Sequence, residues 1–148
     1  MFGSSPRNLL PIVAAYLPVP IVGAVLSAIW DVGATPEGGA EDMVLRGTAL
    51  TPPLFLPVVL LSGAALAREP GTRGRVGAGL VSAVAVAFLG GSTANLPNDL
   101  SAARSAGTPA ALTVSLAAIH LTLSLALLYN AVPRVRGRAS VIADAAPA

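Results

Sequence analysis

His120 is the only histidine of the chain and falls near the middle of a long apolar run, where an ionisable group is costly and by default points to function. On a helix, Thr113, Ala117, His120 and Ser124 share one face at spacings of three and four, so a narrow polar stripe is expected to face into a bundle. An imidazole so placed can act as general acid or base. The plainer alternative, a neutral imidazole bonded to a neighbouring hydroxyl or carbonyl, stays open. One histidine makes no tight metal site unaided, and carboxylate help could come only from Asp31 or Asp99, so no metal is expected.

A second group, Ser92, Thr93, Asn95, Asn98 and Asp99, gathers around Pro97 where the third apolar stretch ends. Such a run can cap a helix and shape a turn, or it can bind a ligand. Trp30 and Asp31 end the first stretch at the same level, so an interfacial polar pocket between the first and third stretches is expected. The candidate catalytic residues are therefore His120, Asp99 and Asn95. Asn98, Trp30, Asp31, Tyr16 and Ser124 are the candidate substrate contacts.

Several chemistries are excluded by inspection. There are no cysteines, hence no disulfide, thiolate metal site or cysteine nucleophile. No acidic residue lies in the middle of an apolar stretch, as a small proton-coupled exporter would require, and no phosphate-cradling or serine-nucleophile pattern is present. The sequence names no cofactor. A pI near 9.9 comes from nine arginines split among short segments, which reads as charge that sets membrane orientation and not as a nucleic-acid interface.

The elements that must position these residues are helices in lipid. Of 148 residues, 54% are hydrophobic and only 11% charged, against about 25% charged in a soluble domain. The mean hydropathy is +0.75. Four apolar stretches, at about 9–30, 50–67, 76–94 and 110–131, each approach the ~20 residues that cross a ~30 Å hydrocarbon core. Barrel-type alternation is absent, and backbone groups in lipid must bond internally. The expected fold is an all-α integral membrane protein: a four-transmembrane-helix bundle over residues 1–138 with a flexible cytoplasmic tail at 139–148.

Arginine placement predicts the orientation, since basic residues are retained on the cytoplasmic side. Arg7, Arg68, Arg73, Arg75, Arg134, Arg136 and Arg138 fall on one side of the expected bundle, leaving Arg46 and Arg104 on the other with an acidic loop of Asp31, Glu37, Glu41 and Asp42. A multi-pass protein of the cell membrane with both termini cytoplasmic is expected. A cleaved signal peptide is the rival reading of the first stretch, disfavoured by its length and by Pro18 and Pro20. Those two prolines remove the donors for the carbonyls of Ala14 and Tyr16, so the first helix is expected to kink there. That kink either serves packing or exposes carbonyls to a ligand. Gly79, Ala83, Ala87 and Gly91 repeat every four residues and predict a flat ridge for close helix packing, with a groove wall or dimer seam as its functional alternative. Thr51, Pro52 and Pro53 read as the cap and first turn of the second span. A short interfacial helix is expected within about 31–49, with Met43, Val44 and Leu45 facing lipid.

The segment Asn95-Leu96-Pro97-Asn98-Asp99-Leu100 resembles the small four-helix membrane proteins of the anthrone-oxygenase-like family, whose third span ends in an Asn-x-Pro-x-Asn type motif. Asp99 stands where the second Asn is expected, with Asn98 beside it. Ala118-Ile119-His120-Leu121-Thr122 is similar to that family's polar segment, with Thr122 where an arginine is expected. The resemblance implies oxidation of a lipophilic aromatic or polyketide-like substrate in a pocket opening from the membrane, with His120, Asn95 and Asp99 as polar contacts or proton carriers.

Three functions compete at this stage. One is a membrane-embedded enzyme acting on a lipophilic small molecule. The second is a non-catalytic homo-oligomer or subunit of a larger membrane complex, and the third a small carrier using the proline break. Membrane lipid is the expected surrounding partner in all three.

Overall fold

The computed structural model describes residues 9–136, so Arg7, Arg138 and the expected tail at 139–148 lie outside the described residues. The described residues form six α-helices and one short 3-10 turn, with no strand among them.

The first span is a rod in two pieces, α1 (Leu10–Tyr16) and α2 (Pro18–Trp30). The break expected at the prolines is one residue wide: Leu17 keeps helical angles (φ −53°, ψ −38°), and its amide still bonds the Val13 carbonyl at 3.0 Å. Pro18 and Pro20 lack only the donors, so the path of the backbone survives them. The rod ends at Asp31, whose left-handed conformation (φ 50°, ψ 47°) is one that Asp tolerates better than most residues.

The second expected span is shorter than its sequence promised. Helix α3 (Phe55–Leu66) has 12 residues, about 18 Å, and residues 50–54 of the expected 50–67 stretch are not helical. Pro52 and Pro53 are the reason: neither can donate to a preceding carbonyl, and the residue before each is pushed toward extended geometry. Helix α4 (Gly71–Ala94) begins earlier than expected and takes in Arg73 and Arg75. The polar run after it is not a plain loop. With Asn95 as the joint, it turns directly into α5 (Leu96–Ser105), Pro97 lying in the first turn where a missing amide costs nothing. Helix α6 (Ala110–Val135) is the longest.

Three helical segments, 10–30, 71–94 and 110–135, are long and apolar enough to cross a membrane. Within them only 28%, 33% and 28% of the apolar window is buried inside the chain. Ile21, Val25, Ile29, Val58 and Leu125 are among the side chains left facing outward. An exposed apolar surface of that extent belongs in lipid and not in water. These are the features of a membrane helical bundle.

Helix α4 is the hub, packing most extensively on α6 and next on α3, with α1 against both α3 and α6. Its buried face, however, is not the expected Gly79, Ala83, Ala87, Gly91 ridge. A Cβ placed on Gly79 or Gly91 would meet nothing within 4 Å, and Ala83 and Ala87 are exposed. The packed face carries Gly74, Gly77, Ala78, Val81, Ala85 and Phe88 instead. Two small-residue stripes run along this helix, and the one that also bears Val81 and Phe88 has apolar volume with which to fill a core. At Gly77 the approach of α3 is closest: a Cβ there would stand 2.3 Å from the Ala67 nitrogen and 2.6 Å from the Gly63 carbonyl oxygen. At the far end Arg134 Nη1 donates to the Ala67 carbonyl at 2.9 Å, fastening α6 to the end of α3.

Candidate functional site

Because α3 starts late, the space that a full-length second span would fill is taken by the non-helical, turn-containing segment 48–54. Non-helical backbone at this depth is tolerated only where its polar groups are bonded or line a cavity. Every amide of the segment is accounted for. Thr48 N bonds the Thr51 carbonyl at 2.7 Å, Ala49 N bonds Gly33 at 3.0 Å and Leu54 N bonds Met43 at 3.0 Å. The amides of Leu50 and Thr51 both donate to Thr48 Oγ1 at 3.2 Å, while Pro52 and Pro53 have none to satisfy.

Side chains tie the same segment to α2. Ser27 Oγ donates to the Gly23 carbonyl at 2.8 Å, which uses its only proton, so in the contact between Ser27 and Thr48 it is Thr48 that donates. Thr51 Oγ1 donates to the Pro20 carbonyl at 3.0 Å. Gly23 makes room for this: a Cβ there would lie 2.1 Å from the Leu50 carbonyl oxygen.

Between this segment and the facing sides of α4 and α6 lies a cavity of about 330 Å³. Its lining mixes polar and apolar side chains. Polar Arg46, Thr48, Thr51, Ser92, Asn95, Asn98 and Asp99 line it together with apolar Leu56, Phe88 and Leu116 and with His120, and of these Thr51, Phe88, Leu116 and His120 are buried. Asn95 and Phe88 are seven residues apart, about 10 Å along α4, and His120 lies ten residues, about 15 Å, from the start of α6.

His120 is held on three sides. It is 6% exposed, and its ring centroid lies 5.6 Å from that of Tyr16 and 6.3 Å from that of Phe88. Tyr16 and Phe88 themselves stack at 5.0 Å with planes 13° apart. The imidazole hydrogen-bonds the Leu116 backbone one turn back, whereas Nε2 has no partner. With the proton donated from Nδ1, Nε2 keeps its lone pair and can accept a proton or a hydrogen bond. Burial pushes the Asp99 carboxyl up to about 6. Arg46 pairs with Asp42 at 3.6 Å.

Of the residues singled out in the sequence, His120, Asn95, Asn98 and Asp99 line this one cavity. The other four do not. Tyr16 and Ser124 are fully buried behind His120 with unpartnered hydroxyls. Trp30 packs on the apolar cluster of Val32, Leu50 and Leu116. Asp31 Oδ1 accepts from the Ala40 amide at 2.9 Å and so braces the loop. Sequence reasoning missed Phe88, Arg46 and Thr48 as neighbours of the site, and read Thr51 only as a cap. No group of three or more metal-ligating side chains occurs among the described residues.

Comparison with family models, with curated proteins and with solved structures finds no match.

Proposed function

We propose that this chain is a membrane-embedded enzyme that takes a lipophilic small molecule into the cavity beside α4 and uses His120 for proton transfer. One observation carries the reading: His120, a buried imidazole whose Nε2 has no partner, is among the residues lining a cavity of mixed polar and apolar character. The apolar part of the substrate lies against Phe88, Leu116 and Leu56. Its polar part meets Asn95, Asn98 and Asp99, the amides orienting it and the carboxyl exchanging a proton with the aqueous side. The resemblance to the anthrone-oxygenase-like proteins supports an oxidisable aromatic or polyketide-like substrate, for which removal of a proton by His120 Nε2 is the step these residues can perform. In this reading α3 completes a four-span bundle of the cell membrane, and the arginine-bearing end faces the cytoplasm.

Native mass spectrometry of the full chain from its own membrane tests the reading. A bound lipophile is expected on the wild type and on His120→Ala, with conversion only by the wild type. Wild-type turnover by folded His120→Ala, or no lipophile on either protein, removes it.

A second reading, a non-catalytic subunit, is favoured by the open face of α4 at Gly79 and Ala83, which another helix could approach closely. It requires a partner that co-purifies in mild detergent and is released by Ala83→Leu.

A further inference from the structure

The end of the bundle away from the cavity has a chemistry of its own. Arg68 follows α3, Arg73 and Arg75 lie near the start of α4 and Arg136 follows α6, all four exposed. The bond from Arg134 to the Ala67 carbonyl draws the ends of α3 and α6 together, and the turn at 67–70 joins α3 to α4. Five arginines thus lie at one end of the bundle. Glu69 is the only carboxylate in these segments, giving a local charge of five minus one, or +4. None of the five arginines is ion-paired among the described residues, where Arg46 with Asp42 at the cavity end is the one salt bridge.

The apolar surface continues directly from the arginines. Arg73, Val76 and Leu80 stand at spacings of three and four on one face of α4, and Val76 and Leu80 are 51% and 38% exposed. An amphiphile lying along this face has its chain on Val76 and Leu80 and its head at Arg73. Guanidinium groups match phosphate oxygens in pairs and keep their charge at any physiological pH. A soluble anion would use the arginines and leave the apolar strip idle.

We infer that this end of the bundle is a binding site for the headgroup phosphate of an anionic phospholipid, held by Arg68, Arg73, Arg75 and Arg136 with an acyl chain along Val76 and Leu80. The site is independent of the reaction proposed for the cavity. Basic clusters at the ends of membrane helices are attracted to an anionic leaflet, and salt screens that attraction.

The test uses the full chain in nanodiscs or mild detergent, offered phosphatidylglycerol and phosphatidylcholine, with retained lipid counted by native mass spectrometry. The wild type is expected to retain phosphatidylglycerol at least about tenfold over phosphatidylcholine. The triple variant Arg68→Gln, Arg73→Gln, Arg75→Gln should lose that preference, and Arg104→Gln at the other end should keep it. Equal retention of both lipids by the wild type overturns the inference, as does a preference that survives in the triple variant. Displacement of the lipid by glycerol 1-phosphate or by polyglutamate at equal concentration also overturns it, pointing to a soluble anion or an acidic protein instead. Should the triple variant fail to fold, the wild type decides alone: its preference must fall between about 50 and about 500 mM salt, and a preference unchanged by salt sinks the lipid site.

Discussion

The hydroxyl of Thr51 donates to the carbonyl of Pro20 at 3.0 Å, joining the proline-rich segment before α3 to the proline-broken rod that precedes it. Both groups are buried. Thr51→Val keeps the shape and removes the donor, so a loss of about 1–2 kcal/mol is expected. Thermal unfolding in detergent measures it, with Thr51→Ser expected to recover most of the loss. An unchanged melting temperature in the valine variant would show that the bond does not hold the segment.

Gly23 is where α2 admits that segment. A methyl group there would stand 2.1 Å from the Leu50 carbonyl oxygen, and backbone cannot swing aside as a flexible side chain could. Gly23→Ala should displace the loop or cost about 1–3 kcal/mol in strain. Limited proteolysis reads the outcome: cleavage within 31–54 should accelerate relative to the wild type, and an identical pattern would contradict the close contact.

Gly91 offers the opposite experiment. It lines the cavity, and a Cβ there meets nothing within 4 Å. Gly91→Leu should therefore fill space without moving backbone, leaving the melting temperature within a few degrees and weakening a bound lipophile by about tenfold or more, the scale of a lost apolar contact surface. Unaltered binding in this variant would mean that the ligand lies elsewhere.

Asp99 gives a pH signature. Its carboxyl is raised from 3.8 to about 6 by burial, so between those values the folded protein holds more proton than the unfolded one. Stability should therefore fall as pH rises from about 4 to about 6 and stay level above that, by less than about 3 kcal/mol because the group is only partly buried. Unfolding measured across that range should show the slope in the wild type and lose it in Asp99→Asn. A slope that persists in the variant belongs to another group.

The helical character, the outward apolar faces and the polar ends of the spans were legible because each depends on local pattern: run length, hydroxyl and amide clusters, prolines. His120, Asn95, Asn98 and Asp99 were found by type and depth alone, without knowledge of what faces them. What escaped was set by the fold at long range. Nothing local says that Thr48 gathers two amides and Ser27, or that Arg46 reaches the cavity rim, because both follow from where α3 starts. The choice between the two small-residue stripes of α4 was hidden for a related reason. Gly79 and Ala83 fit a close-packing rule as well as Gly77 and Ala78 do, and only the volume of Val81 and Phe88 tips one stripe inward. Trp30 and Asp31 shared a level with the polar cluster but not a direction, since the left-handed turn at Asp31 leads the chain into the brace with Ala40.

The brevity of α3 reaches beyond the protein. Its 12 residues offer lipid a wall about 18 Å tall, while α4 and α6, at 24 and 26 residues, offer about 36 and 39 Å. In the four-span reading proposed above, the hydrocarbon layer would have to thin on the α3 flank to meet so uneven a perimeter. A lipophile approaching the cavity from that flank would then cross the thinnest hydrocarbon around the protein.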